Sequence, residues 1–170
     1  MAEGERTRER ERPALKDNPY ERVMKWRAEL ADRNKTGQVV LKPTDREQFI
    51  SRQGRLHYFL NPFAFKDTPL QSWLCFKHEV VTKSGKHRHQ GGIIIYVIDG
   101  KGYSVVENER IDWEKGDLLL LPMKPGGVEH QHFNLQPGKP AWWIAFISIP
   151  IIEHLASEMQ QVEVSPDFKG

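Results

Sequence analysis

Hydrophobic residues recur at two different spacings along the chain. After the helix-start pattern Asn18-Pro19, apolar residues follow at helical spacing as far as Leu30. This spacing predicts a helix over about residues 19–33. A second start pattern, with Thr44 and Glu47 as its cap residues, predicts one further short helical turn. The first third of the chain is therefore predicted to be helical where it is ordered.

From residue 56 onward, short apolar runs alternate with turns rich in Gly, Pro and Asn, which is typical of β-strands. We predict strands near residues 56–60, 72–81, 93–98, 102–107, 109–113, 117–121, 129–134 and 142–149. No helix-sized segment separates them, so the pattern favours an antiparallel sandwich or barrel over a parallel α/β sheet. The run from Ile151 to Met159 returns to helical spacing and predicts a closing helix.

Three segments are expected from these patterns: a mobile charged tail over residues 1–17, a helical arm over residues 18–55, and an all-β domain over residues 56–170 that includes the closing helix. The tail alternates Arg and Glu and has too little apolar surface to offset the entropy of ordering it. The arm is expected to cover a sheet edge or to form a contact between subunits.

Composition narrows the class of protein. The 25 Lys and Arg nearly balance the 23 Asp and Glu, and no basic cluster stands out, which argues against a nucleic-acid partner. No apolar run approaches the roughly 20 residues of a membrane-spanning helix. Cys75 has no second cysteine to pair with, and the N-terminus is charged where a signal peptide would be apolar. We therefore expect a cytoplasmic protein, with Cys75 as a buried core residue.

Candidate chemistry is concentrated in two His-x-His pairs, His87 with His89 and His130 with His132. Side chains two apart on a strand point to the same face, with Cβ atoms ~7 Å apart, so each pair is suited to share one metal ion. If both strands face a barrel interior, a histidine of the second pair can join the first. Three imidazoles would leave one side of the ion open, as in reactive rather than structural metal sites.

The two pairs belong to a longer pattern that resembles the two motifs of the cupin family. Its positions, in order, are His87, Arg88, His89, Gly100, Gly116, Asp117, Pro122, Gly127, His130 and Asn134. The resemblance implies a small antiparallel β-barrel of cupin jelly-roll type with a divalent metal inside. Within the family, the pattern is most similar to gentisate dioxygenase-like enzymes, which bind Fe(II) through three histidines.

The resemblance also implies roles for the four histidines. His87, His89 and His130 are the expected metal ligands. His132 lies on the same strand face as His130 and is the candidate catalytic residue, for proton transfer or for a hydrogen bond to substrate. The alternative for His132 is a structural histidine that bonds to the backbone.

Two positions depart from the family pattern. The glutamate ligand that is common in cupins would fall at Ile93 or Ile94, so a fourth protein ligand would have to come from elsewhere, with Gln90, Glu79 and Glu129 as the candidates. An arginine found in gentisate dioxygenases would fall at Ile95. Gentisate itself is therefore not the expected substrate.

These features predict an Fe(II)-dependent dioxygenase that uses O2 to cleave a carbon–carbon bond in a small phenolic or dicarbonyl compound. Zn²⁺, Mn²⁺ or Ni²⁺ in the same site would instead support an isomerase, lyase or hydrolase. A third possibility is a small-molecule-binding protein without turnover. The family resemblance further implies a homodimer or a higher homo-oligomer.

Overall fold

A computed structural model of the protein describes residues 18–90, 92–150 and 159–170. These residues form one α-helix, one 3-10 turn and eleven strands: α1 (Pro19–Thr36), the 3-10 turn (Pro43–Asp45), β1 (Phe49–Ser51), β2 (Gly54–Leu60), β3 (Trp73–Val80), β4 (Lys86–His89), β5 (Ile93–Asp99), β6 (Lys101–Val106), β7 (Glu109–Glu114), β8 (Leu118–Leu121), β9 (Val128–Asn134), β10 (Ala141–Ser148) and β11 (Gln160–Glu163). The predicted charged tail and the predicted closing helix, apart from Met159, lie outside the described residues.

The strands form two antiparallel sheets that enclose one core. A six-stranded sheet has the order β1-β2-β3-β10-β5-β8, and a five-stranded sheet has the order β11-β4-β9-β6-β7. Neighbours in each sheet are mostly distant in sequence, as β3 and β10 are, so the chain crosses repeatedly between the sheets. The predicted all-β jelly-roll architecture is confirmed.

Alternation along the strands explains which residues fill the core. In β5, Ile93, Ile95 and Val97 are buried, whereas Ile94 and Tyr96 point outward and are about 40% exposed. A strand of this composition is stable because its β-branched side chains pack well on a pleated surface. The inward side chains of β3, β5, β8 and β10 meet Trp113 from the opposite sheet in a single buried cluster.

The helical arm differs in part from its prediction. Helix α1 begins where expected, with the Asn18 side chain accepting a hydrogen bond from the Tyr20 backbone N–H, and it extends to Thr36. The second helical turn is only a three-residue 3-10 turn, and the chain then enters β1 at Phe49. None of the α1 residues is buried, and no helix among the described residues is long and apolar enough to span a membrane. The predicted boundary at residue 55 and the predicted oligomer stay predictions.

Three strands were missing from the predicted set, and all of them are short. β1 has three residues, and β4 and β11 have four each. β4 reads Lys-His-Arg-His and β11 reads Gln-Gln-Val-Glu, so neither shows the apolar alternation by which strands are found in a sequence. β11 pairs with β4, whose other neighbour is β9.

Candidate metal centre

The pairing of β4 with β9 brings the two histidine pairs together. His87 lies directly opposite His130 in the antiparallel register, and His89 lies opposite Val128. The His87 and His130 rings are 4.2 Å apart between centroids, and the His89 and His130 rings are 4.9 Å apart. One potential ligand atom from each of the three side chains lies within 4.8 Å of the others. The three histidines expected to bind metal therefore form one cluster.

The glycine turn before β9 allows the two strands to approach this closely. Gly127 has a φ of +84°, a conformation that other residues rarely adopt. A Cβ atom at this position would lie 2.8 Å from the Arg88 side chain and 3.0 Å from the His89 carbonyl oxygen. The turn that delivers His130 to its strand thus requires glycine for both conformation and space.

Burial keeps the cluster uncharged at neutral pH. Burial lowers the pKa of His87 and of His89 to about 4, and lowers the pKa of His130 well below its ordinary value. The proximity of His87 lowers the pKa of the other two further, because two imidazolium charges repel one another. The three imidazoles are therefore neutral at pH 7, which is the form that binds metal ions.

Backbone hydrogen bonds set the tautomers of two of these histidines. His87 Nδ1 lies 3.3 Å from the Gly85 carbonyl oxygen, and His130 Nδ1 lies 3.2 Å from the Val128 carbonyl oxygen. Because a carbonyl oxygen can only accept, each Nδ1 carries the proton and each Nε2 keeps a free lone pair. A backbone bond to one ring nitrogen with the other left for the ion is the usual arrangement of histidine ligands. The donor set fits a divalent metal ion.

Two of the three candidates for a fourth ligand point away from this cluster. Glu79 forms an ion pair with Arg55 at 3.2 Å, and Glu129 forms ion pairs on the outer surface with Lys86 at 2.6 Å and Arg88 at 3.2 Å. Gln90 differs from both. Its Oε1 is buried and has no hydrogen-bond partner in the part of the chain that the structure describes.

His132 sits behind the cluster in a network of buried side chains. Its Nδ1 lies 2.7 Å from Ser104 Oγ, and Ser104 Oγ accepts a hydrogen bond of 2.9 Å from Trp113 Nε1. The serine hydroxyl proton needs an acceptor in this buried place, and His132 Nδ1 is the one that the described residues offer. His132 is therefore neutral with its proton on Nε2, in agreement with the strong lowering of its pKa by burial.

A further buried histidine was not among the expected site residues. His78 on β3 packs edge-on against Trp143, with ring centroids 4.6 Å apart. The ring of His132 lies 4.9 Å from the same indole. Burial lowers the pKa of His78 to about 3. Strand alternation places either His78 or Glu79 inside, and only the observed pairing decides which.

An apolar cavity of about 230 Å³ opens beside the three histidines. His87 and His89 form part of its wall, together with Gln53 at one side. The apolar part of the wall consists of Tyr58, Phe63, Leu74, Phe76, Ile93, Ile147 and Met159. The volume lies below the ~300–1,000 Å³ of cavities that hold drug-sized ligands, which suits a small molecule.

The aromatic residues of β3, β5 and β10 divide between the inner and the outer face of their sheet. Phe76 lines the cavity, and Trp143 points inward and is 4% exposed. Trp142 points outward and carries the Lys77 ammonium over its ring, and Tyr96 is also on the outer face. Only one of the two adjacent tryptophans therefore faces inward, as strand alternation requires. Tyr58, Leu74 and Phe63 complete the aromatic and alkyl wall, and their strand register and loop position cannot be obtained from local spacing.

Comparison with known proteins gives relatives of the same kind. The sequence profile described as the Cupin domain matches residues 78–147. A gentisate 1,2-dioxygenase from Ralstonia sp is 29% identical over 84 residues, which are 45% of this chain and 22% of that protein. An acireductone dioxygenase from Phaeosphaeria nodorum is 36% identical over 61 residues, a third of each chain. The matched region therefore spans a third or less of these curated relatives.

Solved structures agree with the fold. The polyketide cyclase RemF from Streptomyces resistomycificus superimposes with a TM-score of 0.54 at 17% identity, covering 76% of this chain and 89% of that one. A variant of salicylate 1,2-dioxygenase from Pseudoaminobacter salicylatoxidans gives 0.52 at 19% identity, covering 92% of this chain and 52% of that one. Together with the profile match over residues 78–147, which carry both histidine motifs, these findings show a cupin domain in this part of the chain and motifs similar to those of gentisate dioxygenase.

Proposed function

We propose that this protein is a metal-dependent cupin enzyme, an Fe(II) dioxygenase that cleaves a carbon–carbon bond in a small phenolic or dicarbonyl substrate. One observation carries the proposal: three neutral imidazoles, two buried and one half-buried, converge on one point, and two of them, His87 and His89, line an apolar cavity of about 230 Å³. Three neutral ligands would leave the ion its full charge and an open side, which favours a substrate that binds through two oxygen atoms. The similarity to gentisate and acireductone dioxygenases over the motif region supports the same reaction class.

Some residues of the site would bind the metal ion, and others would orient its ligands. His87, His89 and His130 would hold the ion through ring nitrogens, with backbone carbonyls fixing the ring planes of His87 and His130. A bound Fe(II) would supply the activation of O2 and the electrophilic centre for the substrate oxygens. The apolar wall would exclude water from the substrate ring.

We propose a supporting role for His132, which lies next to the metal ligand His130 and does not bind the ion. Its ring lies 5.4 Å from the His130 ring, and Ser104 holds its Nδ1. With the proton on Nε2, the neutral imidazole can donate one hydrogen bond and is not available as a base at that atom. We therefore assign His132 to hydrogen bonding rather than to proton removal.

Metal analysis and oxygen uptake test the proposal directly. Protein purified without an affinity tag should contain about one iron per chain and consume O2 with a vicinal diphenol or a β-diketone. Another tightly held metal without O2 uptake would support an isomerase, lyase or hydrolase instead. Protein that takes up no metal, even after incubation with Fe(II) under anaerobic conditions, would support a non-catalytic binding protein.

Single substitutions test the assignment of ligands. His87→Ala, His89→Ala and His130→Ala should each abolish metal retention, because a three-ligand site loses a third of its bonds. His132→Ala should retain metal but lower turnover. His57→Ala is the matched control, since His57 is buried outside the cluster, where its ring stacks on Phe59. Metal loss in His132→Ala with retention in His130→Ala would contradict the assignment.

A further inference from the structure

We propose that the cavity selects chelating substrates whose remaining part is uncharged, and that it rejects those carrying a carboxylate away from the two chelating oxygens. This inference rests on the proposed metal-dependent function and adds the substrate class. The observation behind it is the composition of the wall, which is mainly alkyl and aromatic.

Among the described residues, no Lys or Arg lines the cavity. The inward residues of β5 are Ile93, which is part of the wall, and Ile95 and Val97, which are buried in the core. The polar groups of the wall, apart from the two histidines, are the Gln53 amide and the Tyr58 hydroxyl.

The cations of the neighbouring strands are engaged elsewhere. Arg55 pairs with Glu79, Arg88 pairs with Glu129, and Lys77 lies over the outward ring of Trp142. Arg52 is exposed and borders a separate pocket that shares Gln53, Tyr58 and Met159 with the cavity. The experiment must therefore test whether the Arg52 guanidinium contacts a substrate in the cavity.

The physical reason for selection is the cost of burying a charge without a partner. A carboxylate that leaves water for an apolar wall loses its hydration, and it regains the lost energy only when a cation or several donors meet it. A bound metal ion would not fulfil this role, because it would contact the substrate through the two chelating oxygens and not through a carboxylate elsewhere on the molecule. An alkyl group of the same size gains free energy at the same place, since it removes apolar surface from water.

The test compares two probes of nearly equal size, 4-methylcatechol and 3,4-dihydroxybenzoate, which differ in a methyl or a carboxylate on the ring. Calorimetry on zinc-loaded full-length protein measures binding without turnover, because zinc does not activate O2. We expect 3,4-dihydroxybenzoate to bind roughly 100-fold more weakly than 4-methylcatechol. The ratio is corrected by the affinities of the same two probes for zinc in free solution.

A charged substitution in the cavity wall tests the reverse effect, a gain in affinity for the carboxylate probe. Leu74 lies on β3 at the partly exposed side of the cavity, where a longer side chain can keep its charged end near solvent. Leu74→Arg should raise the affinity for 3,4-dihydroxybenzoate at least tenfold relative to 4-methylcatechol. Leu74→Gln is the matched control, because it adds polarity and length without charge, and it should leave the ratio near that of the unmodified protein.

The outcomes separate this inference from the proposed function. Zinc binding with equal affinity for both probes overturns the inference and leaves the metal site intact. Preferential binding of 3,4-dihydroxybenzoate that is lost in Arg52→Gln also overturns it, because Arg52 would then act as a carboxylate partner. Strong discrimination in a protein that shows no O2 uptake with Fe(II) supports the inference and contradicts the dioxygenase. Failure to bind any metal overturns both.

Discussion

The buried link between Trp113, Ser104 and His132 allows a quantitative prediction. Ser104 is fully buried, and it lies directly opposite His132 in the pairing of β6 with β9. Ser104→Ala removes the acceptor of the Trp113 indole N–H and the donor to His132 Nδ1, while changing the side-chain volume very little. Each buried polar group left without a partner costs about 1–3 kcal/mol, so the loss expected for the two groups in the free energy of unfolding is roughly 2–6 kcal/mol.

Urea denaturation followed by tryptophan fluorescence measures this loss, and a double-mutant cycle shows where it comes from. In a Trp113→Phe background the orphaned indole N–H no longer exists, so Ser104→Ala should cost at least ~1 kcal/mol less than in the unmodified protein. Imidazole nitrogen NMR supplies an independent signal. His132 should be an Nε2–H tautomer in the unmodified protein and should lose this preference in Ser104→Ala.

The reasoning would be refuted by a loss below about 0.5 kcal/mol in Ser104→Ala, because solvent or a rotated side chain would then have satisfied both groups. It would also be refuted by an Nδ1–H tautomer of His132 in the unmodified protein. In that case Ser104 would accept from both neighbours, and His132 would present a lone pair at Nε2, as a base does.

Three further predictions concern stability and reactivity. Metal-free protein should lose stability as pH falls from about 6.5 towards 4, because the unfolded chain then binds more protons than the folded chain. The expected loss is up to about 1.4 kcal/mol per pH unit for each histidine whose pKa is lowered by burial. Urea midpoints at pH 7.5 and 5.0 measure this loss. Gly102→Ala should destabilise by about 3 kcal/mol in the same assay, since its Cβ would lie 2.1 Å from the Phe133 carbonyl oxygen and 2.4 Å from the Trp113 ring. Cys75 should react with a disulfide reagent only on unfolding, because it is buried and burial raises its pKa to about 11.

Each of these has a control and a contrary outcome. His78→Phe should reduce the pH dependence by roughly one histidine's share, and an unchanged urea midpoint between the two pH values would contradict the lowered pKa values. Gly138→Ala is the control for Gly102→Ala, because no atom lies within 4 Å of its new Cβ and only its φ of +72° is strained. Rapid labelling of Cys75 in native protein would contradict the burial of its thiol.

Local pattern was sufficient for the larger elements of this protein. The eight predicted strands follow from short apolar or alternating runs between turn residues, and α1 follows from its cap and helical spacing. The order and spacing of the motif residues were also enough to predict the cupin superfamily. Such signals are local, because each depends on residues that are neighbours in the sequence or on a strand face. The short polar strands β4 and β11 have no signal of this kind and were missed.

The chemical character of the centre, by contrast, depends on contacts between distant segments. The sequence supplied two His-x-His pairs, but only the register of β4 with β9 sets His87 opposite His130. The tautomer of His132 depends on Ser104, which is 28 residues away along the chain.

The cavity wall combines residues from the β2 region, β3, β5 and β10, and their meeting point depends on how the two sheets stack. The sequence by itself thus determined the fold class and the candidate ligands. Tertiary structure decided how those ligands are oriented and which groups surround a substrate, because orientation and burial arise only when strands far apart in sequence are paired.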